Sequence, residues 1–388
     1  MPNLLPDAEW TRRPGLAGLM AALGPGNARY VGGAVRDTLL GLPVKDIDLA
    51  TPLLPQDVMF HLQKAGIKFI PTGIKHGTIT AVLPAGPVEI TTLRHDVSTD
   101  GRHATVSFAS EWQQDAARRD FTLNALYVDP QTHEIFDYFG GRADLAARRV
   151  RFIGDARQRI REDHLRILRY FRFQARFGSQ PADEDAENSC QELAATLKGL
   201  SRERVAMELF NLLSLPDPAP TVVRMAQLGV LAVILPEADS AALPPLVTAE
   251  SEQGITANPL RRLAALLPAD PALAVQVAAR LRLSAAQRKR LASAAGRTSP
   301  PDDPYALAYR IGRDEAVDRL LLTGADTASL NGWDIPVFPL KGGDIVARGV
   351  NAGPAVAHIL REVEDRWIAE GFPDAGRARV LLDNVLAA

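Results

Sequence analysis

Cysteine is nearly absent: Cys190 is the single one in 388 residues. That excludes internal disulfides and multi-cysteine zinc sites, so a metal in this chain is expected to take oxygen ligands. Long apolar runs are missing as well. Nothing approaches the ~18 to 20 consecutive apolar residues of a membrane span, and the opening twenty or so residues carry no basic-then-apolar signal pattern. A cytoplasmic protein with no membrane partner is expected. Excess charge of either sign is lacking, with a net of -2 and a pI near 6.4, which excludes a uniformly basic coat and leaves room for a local patch. Lysine is scarce, at 7 against 37 arginines.

Hydrophobic residues at 46% and charged residues at 23% give ample apolar surface for folding. The length suits two to four domains at the usual ~100 to 200 residues each. Residues 1–27 are weakly periodic and read as an extension with one short helix near Leu16–Leu23. From Arg29 to about Tyr138, β-rich runs (ARYV, DIDLA, TITAVL, VEITTL, LNALYV, EIFDYF) alternate with helical stretches without a repeating βαβ period. From about Asp144 the pattern turns helical, with Pro-rich breaks at 214–220 and 299–304. The expected divisions are the extension, a sheet-containing head at 28–140, and helical sections at 141–215, 216–300 and 301–388. No internal repeat or low-complexity tract is visible.

The most informative run is Tyr30–Thr51, YVGGAVRDTLLGLPVKDIDLAT. A strand ending at Val31, a tight Gly32-Gly33 turn and a short helix stopped by Gly41 would aim backbone N–H groups, that of Gly33 among them, at an anion. Arg36 in the first helical turn adds a cation, and a triphosphate suits such a nest. Asp46 and Asp48 project from one face of a strand, and converging carboxylates repel unless a cation intervenes. Magnesium is the expected cation, since it takes hard oxygen ligands and substrate phosphates, and a two-metal phosphoryl transfer follows. Either feature alone is commonly only a turn or a strand edge; their succession carries the weight. Glu89 in VEITTLR is the candidate third carboxylate, and a water-facing glutamate on an edge strand accounts for it equally well.

Two further runs bear charge in a pattern. In RRDFTLNAL, Arg118–Leu126, adjacent arginines suit a triphosphate clamp, and Asp120 and Asn124 can tie sugar or backbone. Arg161–Phe177 reads as one helix, with Ile160, Ile167, Leu168, Phe171 and Ala175 in an apolar stripe and a basic opposite face. Within it, an Asp163–Arg166 salt bridge at i,i+3 is the plain structural expectation. Between Arg142 and Arg176 eleven arginines face four acids, a candidate polyanion site that a general preference for arginine also explains.

These three runs resemble the signature motifs of the nucleotidyltransferase superfamily, and specifically of class II tRNA CCA-adding enzymes and bacterial poly(A) polymerases. The resemblance spans about Tyr30–Leu213 and returns at 339–372. It implies an α+β fold: a polymerase-beta-like nucleotidyltransferase head with a mixed sheet, then an all-helical neck, body and tail. It implies that Asp46 and Asp48, with Glu89, are catalytic, the first two holding Mg2+. Gly33, Arg36, Arg119, Asp120 and Asn124 would bind the incoming nucleotide. Asp163 and Arg166, in the family's Glu-Asp-x-x-Arg motif, would serve as a protein template for the base, with Arg169 and Arg172 also reaching the nucleotide. Chemistry supports the template: cytosine and adenine present an amino donor beside a ring-nitrogen acceptor, which a carboxylate next to a guanidinium complements, whereas uracil and guanine oppose it.

The partners so implied are tRNA, CTP and ATP, with no stable protein partner. DYFGGRADL (137–145) resembles the family's hinge from head to neck, and SRERVAMEL (201–209) a supporting helix with Ser201 as N-cap. In the tail, which resembles a tRNA-gripping region, KGGD (341–344) is expected against phosphates and Pro354 at a helix start. PTGIKHGTITAV lacks the basic stretch of poly(A) polymerases, and HDVSTDGRHATVSF (95–108) fills the place of a flexible lever loop that CC-adding enzymes lack. Complete CCA addition is therefore expected. The alternatives are poly(A) synthesis, partial CC or A addition, and a non-catalytic RNA-binding protein, which the two aspartates disfavour.

Overall fold

The structure, a computed structural model, describes residues 3–99, 104–298 and 302–387. The chain divides into two compact units, Met1–Pro236 and Glu237–Ala388.

The first unit holds the strands β1 (Arg29–Val31), β2 (Ile47–Thr51), β3 (Phe69–Gly73), β4 (Thr78–Leu83), β5 (Gly86–Thr92), β6 (Arg94–Thr99), β7 (Ala104–Phe108), β8 (Leu126–Val128) and β9 (Ile135–Asp137). Seven of them form a mixed sheet in the order β3-β4-β5-β2-β1-β8-β9, in which β2 and β5 pair in parallel and the other pairs are antiparallel. Each of the six β-rich runs of the sequence contains a strand, although in LNALYV the strand begins only at Leu126, after a 3-10 turn at Thr122–Asn124. β3 is an addition: Pro71 reads against a strand, yet β3 is the sheet's edge and its register shifts between Ile70 and Gly73, the setting in which a ladder tolerates proline. The expected lever loop is, in its backbone, a two-stranded ribbon of β6 and β7, and its turn, residues 100–103, lies outside the described residues.

Around the sheet lie α1 (Leu16–Leu23), α2 (Gly33–Leu39), α3 (Pro55–Lys64) and α4 (Trp112–Ala117), followed by α5 (Gly141–Ala146), α6 (Ala156–Glu162) and α7 (Arg166–Phe177). Four more helices complete the unit: α8 (Glu184–Glu192), α9 (Arg202–Leu213), α10 (Ala219–Gln227) and α11 (Val230–Ile234). The segment before α1 is tied down. Trp10 stands edge-on to Tyr30 at 4.8 Å and donates Nε1–H to Thr38 Oγ1 (2.8 Å), and Arg13 donates to the carbonyls of Val44 (3.1 Å) and Lys45 (3.3 Å).

The helix expected over 161–177 is interrupted. Asp163 has extended backbone (φ -151°, ψ 105°), and its Oδ1 accepts the N–H of Leu165 at 3.1 Å. A short acidic side chain that captures the backbone two residues on offers an alternative to the helical ladder, and here that alternative prevails. Helix α7 resumes with its aromatic face buried: Phe121, Phe152, Tyr170 and Phe173 form one ring cluster that fastens it to the 121–152 region.

The second unit comprises α12 (Leu243–Glu252), α13 (Pro259–Ala265), α14 (Pro271–Arg280), α15 (Ala285–Ala295), α16 (Pro304–Ile311), α17 (Arg313–Leu322), α18 (Gly342–Val346), α19 (Pro354–Ala369) and α20 (Ala375–Ala387). Pro354 does open a helix, where its missing N–H costs nothing. In KGGD, Asp344 accepts the N–H of Lys341 at 2.7 Å and so caps α18. A buried ionic network crosses the unit: Glu250 takes Arg261 (2.6 Å) and Arg262 (2.7 Å), and Asp318 takes Arg261 (2.8 Å) and Arg290 (2.7 Å). Among the described residues no strand follows Asp137, and no helix is long and apolar enough to cross a membrane.

Candidate active site

The turn after β1 is built as the sequence implies. Gly32 has φ +71°, a conformation that favours glycine, and a Cβ there would meet Arg119 at 3.7 Å and the Asn124 carbonyl at 3.8 Å. The Gly32 N–H is already donated to Leu126 (3.3 Å), so α2 begins at Gly33 against β8. Arg36 is buried. Its Nε donates to Asp37 (2.8 Å), its Nη1 to Asn124 Oδ1 (2.5 Å), and it lies 4.3 Å from the Phe177 ring centre. Burial pulls its pKa down, and Asp37 resists that.

Asp48 on β2 stands opposite Glu89 on β5 in the parallel register, so both side chains leave the same face. β5 lies between β4 and β2, so Glu89 is not on an edge strand, although it is exposed to water as the alternative account held. Asp46 is exposed, one residue before β2. Burial raises the Asp48 pKa, Glu89 and then Asp46 push it further up, and Arg119 pulls it back. An all-oxygen donor set whose most buried member resists ionisation beside two other carboxylates fits a hard divalent cation, which would reverse each of those unfavourable terms. Among the described residues the carboxylates do not already close into a cage.

Asp48 lines a cavity of about 450 Å³ together with Gly32, Gly33, Arg36, Arg118, Arg119, Asp120, Asn124, Asp163, Leu165, Arg166, Arg169, Phe173 and Arg204. Six arginines therefore face three aspartates in one concave site, a polarity suited to a polyanion. Arg118 and Arg119 both pair with buried Asp115, at 2.7 and 3.1 Å. Asp120 accepts Asn124 Nδ2 (3.1 Å) on one oxygen and Arg169 Nε (2.8 Å) on the other. Burial opposes its ionisation, but Arg169 and Asn124 outweigh burial and hold it below the usual carboxylate range.

Asp163 and Arg166 line this same cavity but do not pair with each other. Asp163 Oδ2 accepts Arg204 at 2.7 Å, while Arg166 reaches Glu162 (2.6 Å) and the carbonyls of Arg159 (2.9 Å) and Arg118 (3.2 Å). The expected i,i+3 bridge is absent because the helix breaks between them. Arg172 is taken by Glu208 on α9 (2.7 Å) and stands outside the lining, as do Asp46 and Glu89. Ser201 sits at the N-cap of α9 but makes no side-chain cap bond. Sequence reasoning missed Arg204, Leu165, Phe173 and the supporting Asp115. The polyanion patch also changes character: of the eleven arginines, nine are ion-paired within the unit.

Comparison with known proteins bears on the family and the fold. Residues 28–151 match the Poly A polymerase head domain model, and residues 182–242 the model described as the probable RNA and SrmB- binding site of polymerase A. The chain is 36% identical over 363 residues to the CCA tRNA nucleotidyltransferase 1, mitochondrial, of Mus musculus, covering 89% of this chain and 83% of that protein. It is 39% identical over 210 residues to the CCA-adding enzyme of Geobacillus stearothermophilus, covering 54% and 50%. Among solved structures it is similar to the Bacillus stearothermophilus CCA-adding enzyme in complex with CTP, with a TM-score of 0.71, 27% identity, and 95% and 96% of the two chains covered.

Proposed function

The chain belongs to the family of CCA-adding tRNA nucleotidyltransferases, and we propose that it completes tRNA 3′ ends in its arginine-lined cavity, choosing each base with Asp163 and Arg166. The reaction is addition of C, C and A: the terminal ribose hydroxyl forms a bond to the α-phosphorus of CTP or ATP as the bond to pyrophosphate breaks. One observation carries the site assignment. Asp48, the Arg118–Arg119 pair and the Asp163–Arg166 pair, drawn from three distant runs of sequence, line one cavity.

The residues divide the work by their chemistry. Arg118 and Arg119 supply forked donors for phosphate oxygens, and the Gly32-Gly33 turn lets them approach the backbone closely. Asp120, Asn124 and Arg169 form one hydrogen-bonded set that orients the nucleotide. Each Asp163 oxygen keeps a second lone pair beyond the bond it already accepts, which suits it to an exocyclic amino group. Asp46 and Asp48, with Glu89 beside them, would hold Mg2+, which supplies charge neutralisation at the phosphates and acidifies the attacking hydroxyl. In this reading Arg172 acts through Glu208 and not on the nucleotide. The single buried thiol suits a reducing compartment, of which the expected cytoplasmic location is one; cell fractionation tests that location against the mitochondrial relatives.

Incubation with tRNA ending at the discriminator base, one labelled nucleotide at a time, tests the assignment. Two additions from CTP followed by one from ATP are expected. Long A tails without C addition would reassign the chain to poly(A) synthesis, which the head-domain match keeps in view.

A further inference from the structure

Asp115 lies behind the cavity and is not part of its lining, yet it is one of the most completely used groups in the unit. Its side chain is 1% exposed. Oδ1 accepts Arg118 Nε (2.8 Å) and Nη2 (2.7 Å), and also the backbone N–H of Arg94 (3.3 Å). Oδ2 accepts Tyr127 Oη–H (2.6 Å) and Arg119 Nη2 (3.1 Å), while Tyr127 Oη in turn accepts Arg119 Nε (3.0 Å). Every acceptor direction of the carboxylate is engaged.

Helix geometry explains why one carboxylate is needed. Arg118 and Arg119 are neighbours in sequence, and side chains at i and i+1 diverge by about 100° around a helix, so nothing local turns two like charges to one side. Asp115 stands in α4, and Arg118 at its C-cap and Arg119 just beyond it reach back to that one carboxylate from i+3 and i+4. Arg94 is the first residue of β6, so the same carboxylate also holds the root of the β6–β7 ribbon.

We infer that Asp115 is a positioning residue of the nucleotide site, which turns Arg118 and Arg119 together into the cavity and ties that pair to the root of the ribbon. The inference rests on the reading of the cavity as the nucleotide site. A shift of the ribbon root would thereby be felt at the arginines, and nucleotide binding at the arginines would be felt at the Arg94 amide. The chemistry that Asp115 serves is recognition of a triphosphate by a pair of guanidinium forks, whichever base is attached.

The test compares steady-state kinetics and calorimetric CTP and ATP binding for Asp115→Asn, for Arg118→Ala/Arg119→Ala, and for the triple variant, with hydrogen exchange at the Arg94 amide. Asp115→Asn should raise KM for both nucleotides by about tenfold or more and speed Arg94 exchange, with the preference between C and A unchanged. In the double-alanine background the same change should alter KM by less than about twofold, since its target is gone. If Asp115→Asn does not fold, Tyr127→Phe, which removes one bond to the carboxylate and the one accepted from Arg119 Nε but spares both ion pairs, should raise KM by roughly threefold. An Asp115→Asn protein, or failing that Tyr127→Phe, with wild-type KM beside an impaired double-alanine enzyme overturns the inference. A double-alanine enzyme with wild-type nucleotide KM overturns the nucleotide-site reading instead, so the two failures are separable.

Discussion

Asp48 and Glu89 occupy directly opposed positions on two parallel strands, and the first of them is less acidic than an ordinary aspartate because of burial and that neighbour. Ionised Asp48 therefore costs the folded protein stability. The penalty is absent below the unfolded-state pKa and is felt as pH rises through the raised folded value. Asp48→Asn should accordingly give a higher Tm than wild type at pH 7 in the absence of divalent ions, with the difference fading toward pH 4. Incorporation should fall by about 10³-fold or more while tRNA retention persists. Calorimetric scans at two pH values, with and without Mg2+, check the first part, and Mg2+ should stabilise wild type more than the variant.

Asp163→Ala should relax base choice more than it slows the enzyme. Removing the carboxylate takes away the acceptor that complements an amino group, and the ratio of kcat/KM for CTP over UTP should drop by about 10²-fold or more. Single-turnover incorporation of each of the four nucleotides reads this directly. A uniform loss across all four would assign Asp163 to folding of the α6–α7 turn and not to selection.

Acid should weaken the arginine clamp. Burial works against ionisation of Asp115, but Arg119, Arg118 and Tyr127 outweigh it and hold the pKa at about 2, below its ordinary 3.8. Its contribution is present above the ordinary value and lost as pH falls through the folded one, so the window runs from about pH 4 to pH 2. A shift of that size corresponds to roughly 2 kcal/mol. Denaturation of wild type should steepen within that window, and Asp115→Asn should flatten the acid limb.

In the second unit, Glu250→Ala deprives Arg261 and Arg262 of a shared buried partner. Loss of one member of a buried ionic network costs about 3 to 5 kcal/mol, so urea denaturation should show a large drop in midpoint. CTP binding, proposed for the cavity of the first unit, should be unchanged in the protein that remains folded.

What the sequence made legible was local. The Gly32-Gly33 turn, the α2 helix, Asp48 on a strand and the helical character after residue 144 all depend on neighbours within a few positions and stand as expected, while Asp46 falls one residue short of β2. The losses came from two kinds of competition. At Asp163 a side-chain bond to Leu165 beat the helical ladder, a preference that apolar periodicity does not register. Arg204 joins the site from 41 residues away through Asp163, and no local pattern ranks such a contact above a surface arginine. Asp115 was within reach, since an acid three and four residues before adjacent arginines is a helical pairing pattern, but its weight shows only once burial is known.

The ion pairing of nine of the eleven arginines between Arg142 and Arg176 alters what an RNA strand would encounter there. Guanidiniums already satisfied by carboxylates attract few loosely held counterions, and few would be expelled when a phosphodiester chain arrives. The region is better described as an internal truss than as a landing strip. Affinity for RNA should consequently decline with ionic strength far less steeply than a count of its positive residues suggests.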